Sequence, residues 1–282
     1  MEDQDLSLLL YDLLCKVIGS EDVVRTRRRL FSVWETFHDV NGSGLIPSGS
    51  KAEGLDMEGS DYDVMILLNI VRVFENSTDI RENNDPTVTF SCIMEYDVTK
   101  LGFTRLKLVN YHAYHSVGLM QMSQFFDGFE TIGDGVFFSS EKMKRIGSKI
   151  NFSMQTIHGP CMANENGSVE YLNCFRCHEW ITTAQPWISR CRGSWPCPDA
   201  INNIIDYGVL FVPVGCKNSK YEDLEWRISF SIAEKDLIHN FNHSQMLCYA
   251  ALKIILTDII KPKHGDLLCS YFLKTVMFWL AE

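Results

Sequence analysis

Apolar residues recur at spacings of three and four over Leu6 to Ile18 and again over Glu21 to Val40, which predicts two amphipathic helices or one long kinked one. Ser20 stands where a cap for the second helix belongs, with Glu21 and Asp22 in its first turn. A Gly- and Ser-rich stretch, Asn41 to Gly59, then reads as a loop, and Asp61 to Ile70 as a strand. Shorter strand-like runs follow at Thr87 to Tyr96 and Thr104 to Val109, divided by the turn signal Asn83-Asn84-Asp85-Pro86. A helix is expected over roughly Ser140 to Met154. Strands are expected at Val169 to Cys174, Tyr207 to Pro213 and Glu225 to Ile232, and helices from there on.

The strand at Asp61 carries the first chemistry. Residues two apart on a strand share a face, so Asp61 and Asp63 converge while Tyr62 and Val64 point away. Strands disfavour aspartate, and two of them ahead of the apolar run Val64 to Leu68 suit a divalent cation better than a solvent face. Gly49 and Ser50 precede them in a loop whose backbone could approach phosphate closely. In Glu225 to Ile232, Arg227, Ser229 and Ser231 alternate with Trp226, Ile228 and Phe230, giving one polar and one apolar face. An arginine fork flanked by hydroxyls fits a purine edge. Lys253 sits inside the apolar run Leu247 to Leu256, where an ammonium needs water or an anion.

The chain has 282 residues, 46% of them apolar, enough for a sizeable core in one large domain or two lobes. A formal charge of -10 argues against a surface built throughout for polyanions. Two local basic clusters remain, Arg25 with Arg27, Arg28 and Arg29, and Lys142 with Lys144, Arg145 and Lys149. Ten cysteines behind the acidic start Met1-Glu2-Asp3 predict reduced thiols in the cytoplasm. The longest apolar stretches are interrupted by Lys253, Asp258 and Lys274, so no membrane partner is expected. Cys174, Cys177, His178, Cys191 and Cys197 are spaced irregularly, and either a zinc site or core thiols account for them.

Four landmarks in order, Gly49-Ser50 with Glu53-Gly54, Ser60-Asp61-Tyr62-Asp63-Val64-Met65, Glu225 to Ser231 followed by Glu234, and Ser270-Tyr271 followed by Lys274-Thr275, carry a resemblance. From about Leu6 to Glu282 the sequence resembles the Mab-twenty-one-like nucleotidyltransferase family, which includes cyclic GMP-AMP synthase and the animal cyclic GMP-AMP synthase-like receptors. The resemblance implies an α+β fold: a nucleotidyltransferase-fold mixed sheet, a long amino-terminal spine helix and a carboxyl-terminal helical lobe, here incomplete. It divides the chain into a core over 1–232 and a lobe over 233–282. It further implies Mg²⁺ or Mn²⁺ on Asp61, Asp63 and a third carboxylate, for which Val169-Glu170 offers Glu170 as ligand and general base. ATP and GTP would lie on Gly49, Ser50, Arg227, Ser229, Ser231, Glu234, Lys253, Ser270 and Tyr271, and the product would be a cyclic dinucleotide of innate immunity.

Family members typically have Asp where Glu170 stands. Glutamate is one methylene longer, and a misplacement of about 1 Å can cost on the order of a hundredfold in rate. The alternatives are therefore an active synthase, a binding protein of the same fold without turnover, and a template-free polymerase acting on RNA ends. Double-stranded nucleic acid is a further partner the resemblance implies. A truncated lobe would bare Phe272, Val276 and Trp279 to a partner or a second copy. The zinc ribbon of vertebrate cyclic GMP-AMP synthase has no counterpart between Glu234 and Lys253, where Cys248 stands alone.

Overall fold

In a computed structural model the described residues are 2–40, 44–60, 62–80, 88–96, 99–111, 125–150, 156–158, 161–164 and 167–282. Asp61, the turn 83–86 and residues 151–154 at the end of the expected third helix lie outside them.

The amino-terminal pattern folds as two helices, α1 (Glu2–Ile18) and α2 (Glu21–Val40). They break at Gly19, whose φ of +116° is a conformation other residues adopt only with strain. The stretch expected as loop contains a short strand, β1 (Leu45–Ser48), and a helical turn at Gly49–Ala52. A four-residue strand beginning among glycines and serines gives too little periodicity to be seen in sequence. The long strand β2 (Tyr62–Phe74) follows, then β3 (Phe90–Glu95) and β4 (Phe103–Tyr111). The hairpin β5 (Phe129–Ile132) and β6 (Gly135–Phe138), not expected from the sequence, leads into α3 (Ser140–Ile150).

Next come β7 (Thr156–His158), β8 (Cys161–Ala163) and β9 (Val169–Cys177), and after a Trp-rich stretch α4 (Pro198–Tyr207), β10 (Val209–Val212) and β11 (Glu225–Ser229). The helices α5 (Ser231–His239), α6 (His243–Ile254) and α7 (Ser270–Ala281) follow. Ser231 was expected on the strand with Arg227 and Ser229. Instead it is the first residue of α5, because the strand ends at Ser229.

The strands form one mixed sheet in the order β1-β2-β3-β4-β11-β10-β9-β8-β7, with β5–β6 attached at β4. An additional parallel pairing of β2 with β9 closes the path β2-β3-β4-β11-β10-β9 on itself. One side of the sheet faces the main core, where Trp226, Phe138, Phe175, Phe211 and Phe90 are fully or almost fully buried. The Trp226 ring lies edge-on to Phe138 at 5.8 Å and its indole N–H donates to the Phe138 carbonyl at 2.8 Å. The other side carries a smaller cluster of Ile46, Met65, Cys174, Leu210, Val212 and Ile232. This second layer supports the candidate site. Among the described residues no helix is long and apolar enough to cross a membrane.

Candidate active site

Strand β1 pairs antiparallel with β2 so that Ser48 lies opposite Asp63, and the chain then turns sharply at Gly49. Gly49 has φ +68°, and a Cβ there would stand 1.8 Å from Asp63 Oδ2. Both the backbone and the space therefore demand glycine. Asp63 in turn is held in the hollow that the missing side chain leaves.

Across the sheet, β9 runs parallel to β2 with Tyr62 opposite Val169 and Asp63 opposite Glu170. Register partners on adjacent strands point to the same face, about 5 Å apart at Cα. The register thus places Asp63 and Glu170, 107 residues apart in the chain, side by side on one face of the sheet. Asp61 is outside the described residues, and among those described no group of three or more His, Cys, Asp or Glu forms a metal cluster.

The same face continues along the sheet. Leu210 of β10 pairs with Arg176 of β9 and with Ser229 of β11, and Val212 pairs with Arg227. By this register Arg227 and Ser229 share the side of Glu170, while Trp226 and Ile228 enter the main core. Arg227 is exposed and Ser229 half-buried. Ser231 reaches the site by another route: its hydroxyl donates to the Met65 sulfur at 3.2 Å, on the strand and face of Asp63.

Cys161, which the sequence reading did not single out, belongs to this group. On β8, Ala163 pairs with Glu170, and Cys161 lies two residues further along the same face. Burial first, then the negative charges of Glu170 and Asp63, push its thiol up to about 12, and Arg227 opposes the shift. A thiol that stays protonated at neutral pH donates to the Glu170 carboxylate. The cysteine, both carboxylates and the guanidinium therefore share one electrostatic environment.

Lys253, expected to need water or an anion, makes its contacts here to a hydroxyl and a ring of the protein. From α6 its ammonium donates to the Ser50 hydroxyl and lies 5.5 Å from the Tyr249 ring centroid. Ser50, Lys253, Gly49 and Asp63 thus adjoin one another. Glu234, on the first turns of α5, accepts from Lys274 at 3.4 Å. Tyr271 is exposed at the start of α7; its phenol is raised by burial first and then by Glu234, with Arg227 acting the other way. Ser270 opens α7 and is exposed.

Behind the Gly49 turn lies a second ionic group that the landmarks contained without a role. Glu53, 3% exposed, pairs with Lys274 at 2.6 Å and accepts from the Tyr249 hydroxyl at 3.4 Å. Opposite charges outweigh burial and hold the Lys274 ammonium well above its ordinary range. His239 Nε2 donates to the Ala52 carbonyl at 2.9 Å, and burial lowers its imidazole to about 4. Arg28 of α2 donates to the Glu53 carbonyl at 2.9 Å. The turn is therefore pinned from α2, α5, α6 and α7. The contacts from α5, α6 and α7 each join residues 187 or more apart in the chain and give no local sequence signal.

Two alternatives fall differently. Cys174 and Cys177 are three apart on β9, so they enter opposite faces: Cys174 the smaller cluster and Cys177 the main core. Cys191 and Cys197 are exposed, and no zinc cluster forms among the described residues. Members of both basic runs make contacts within the protein, although Arg25 and Arg145 stay exposed. Arg27 donates to the Ile18 carbonyl at 2.6 Å, and Arg25 pairs with Glu21 at 2.5 Å. Lys142 pairs with Glu130, and Lys144 and Arg145 with Glu141.

Residues 139–240 match the family model described as the Mab-21 protein nucleotidyltransferase domain. The matched stretch contains Glu170 on β9 and Arg227 and Ser229 on β11, and ends before Lys253. It is consistent with a Mab-21-like family member and supports a protein of nucleotidyltransferase fold.

Proposed function

We propose that this Mab-21-like protein is a metal-dependent nucleotidyltransferase that joins ATP and GTP into a cyclic dinucleotide. The reading rests above all on the register that sets Asp63 beside Glu170, with Gly49 and Ser50 adjoining. Two oxygen-bearing carboxylates on one face suit a hard cation, which prefers one or two carboxylates plus substrate phosphate oxygens. Asp61, Asp63 and Glu170 would hold Mg²⁺ or Mn²⁺. Such an ion neutralises charge that builds on the phosphoryl oxygens.

The chain's own residues supply the rest. The Gly49 turn sets its backbone against the Asp63 carboxylate with no side chain between them, so a triphosphate would reach the turn alongside the cation that Asp63 would hold. Lys253, held ready by Ser50, contributes positive charge at the phosphates. Arg227 and Ser229 offer donors to a purine edge, and Tyr271 an exposed ring on which a base can stack. Glu170 serves as the base that accepts the proton of a ribose hydroxyl as its oxygen bonds to the α-phosphorus of a nucleoside triphosphate and pyrophosphate leaves, once for each of the two linkages. Phosphoryl transfer of this kind needs positioning and charge neutralisation more than covalent chemistry. Double-stranded nucleic acid is the proposed activator, and the cytoplasm the proposed compartment.

Cys161 favours a second reading. Its thiol donates to Glu170, so the proposed base is already hydrogen-bonded within the protein. Together with the longer side chain of glutamate, this supports a nucleotide- or partner-binding protein of the same fold without turnover. One experiment separates the readings: purified protein is incubated with labelled ATP and GTP, Mg²⁺ or Mn²⁺, and double-stranded RNA or DNA, beside Asp61→Asn/Asp63→Asn. A cyclic dinucleotide made by the wild type alone is the expected result. Nucleotide binding without product supports the second reading, and product persisting in the double variant overturns the site.

A further inference from the structure

The two carboxylates of the candidate site are held by different means. Asp63 is short and lies against the bare backbone of Gly49, where a Cβ would stand 1.8 Å from its Oδ2. Glu170, its register partner on β9, is half-buried and one methylene longer, so it has more torsional freedom to lose before its carboxylate takes a defined place. Packing against backbone suffices for the aspartate. The glutamate needs a hydrogen-bonding neighbour.

Strand β8 supplies one. Ala163 is fully buried directly opposite Glu170, and its small side chain leaves room on that flank. Cys161 stands two residues along the same face, diagonal to Glu170 and within reach of a long side chain, while buried Met162 between them points the other way. Glu170 thus has a carboxylate on one side and a thiol on the other. Asp63 repels it across the strand pair, whereas the Cys161 S–H donates to it. Burial and the nearby carboxylates keep that thiol protonated, so it remains a donor and adds no third negative charge.

We propose that Cys161 is a positioning residue: its thiol fixes the Glu170 carboxylate so that Glu170 and Asp63 can share a cation. The role builds on the reading of Asp63 and Glu170 as cation ligands and holds whether or not turnover follows. Carboxylates that bind metal are themselves hydrogen-bonded by outer groups, whose loss costs about 10- to 100-fold in metal affinity. A neutral thiol suits that task, because it orients the ligand without cancelling the charge that draws the ion, as a lysine or arginine would. An outer place for Cys161 also agrees with the finding that no three-ligand cluster of His, Cys, Asp or Glu forms among the described residues.

Mn²⁺ titration of the full chain, with the free ion followed by electron paramagnetic resonance, tests this. Cys161→Ala is expected to weaken Mn²⁺ binding by about tenfold or more, and Cys161→Ser, which keeps a donor, by no more than about twofold, with the fold of both retained by circular dichroism. The decisive arm repeats the alanine change in a Glu170→Asp background. The shorter aspartate should bind Mn²⁺ yet fall short of the thiol, so there Cys161→Ala should matter by less than about twofold. An equal loss in both backgrounds, serine as weak as alanine, tighter binding in Cys161→Ala, or no binding in Glu170→Asp would each overturn the proposal. If Asp63→Asn weakens binding and Cys161→Ala does not, the role of Cys161 falls alone. A wild type that binds no Mn²⁺ removes both that role and the cation reading beneath it.

Discussion

The two faces of the sheet differ sharply although they are built from the same strands. The core face is almost wholly aromatic and aliphatic, with Trp226, Phe138, Phe175 and Phe211 interlocked. On the other face six smaller apolar residues lie beneath Asp63, Glu170, Arg227 and Ser229. Alternation along β2, β9 and β11 assigns each residue to one or the other. The larger core is therefore concentrated on the first face and the candidate site on the second, and a substitution should report which face it touches.

Trp226→Ala should have the largest effect, a loss of about 3 to 5 kcal/mol in chemical denaturation, because it empties a fully buried site and removes the bond to Phe138. Lys274→Met comes next. It leaves Glu53 buried without its cation and should cost about 3 kcal/mol, with Glu53→Gln/Lys274→Met recovering part of the loss. A partial recovery in that double variant sharpens the distinction between a structural ion pair and the site charges in front of it. No recovery would place the cost in the packing of the lysine stem instead.

The pH dependence of stability should come partly from His239. Its folded value, about 4, lies below the unfolded 6.5, so the neutral ring's contribution is complete above pH 6.5. It is lost as the pH falls from 6.5 towards 4, up to about 3 kcal/mol, since the unfolded chain takes up the proton first. In His239→Gln the slope of stability against pH across that window should flatten. A slope equal to the wild type's would assign the acid sensitivity to other groups. The smallest stability effect is expected for Asp63→Asn, within about 0.5 kcal/mol or slightly stabilising, because it relieves repulsion from Glu170. Thermal melts of the variant without metal would check it.

Much of this contrast was legible in the sequence. Period-two alternation placed Arg227 and Ser229 opposite Trp226 and Ile228, whereas Glu170 was named only through the family resemblance and its place opposite Asp63 comes from the strand register. Two apolar spacings of three and four marked α1 and α2 to within a few residues. What stayed hidden has a physical pattern. Strand β1 is too short to show a period, and Ser231 continued the alternation although the backbone had already turned into α5. Cys161 meets Glu170 only through strand pairing, and Glu53 meets Lys274 only because two distant helices close behind the Gly49 turn. Side chains joined by tertiary contact leave no spacing to read.

The central claim is that Asp63 and Glu170 hold one cation between them. Mn²⁺ binding to the protein, followed by electron paramagnetic resonance of the free ion, tests it with Asp63→Asn and Glu170→Gln. Each variant is predicted to weaken Mn²⁺ binding by at least about tenfold while the fold, monitored by circular dichroism, is retained. Mn²⁺ binding that survives Glu170→Gln at wild-type strength would contradict it.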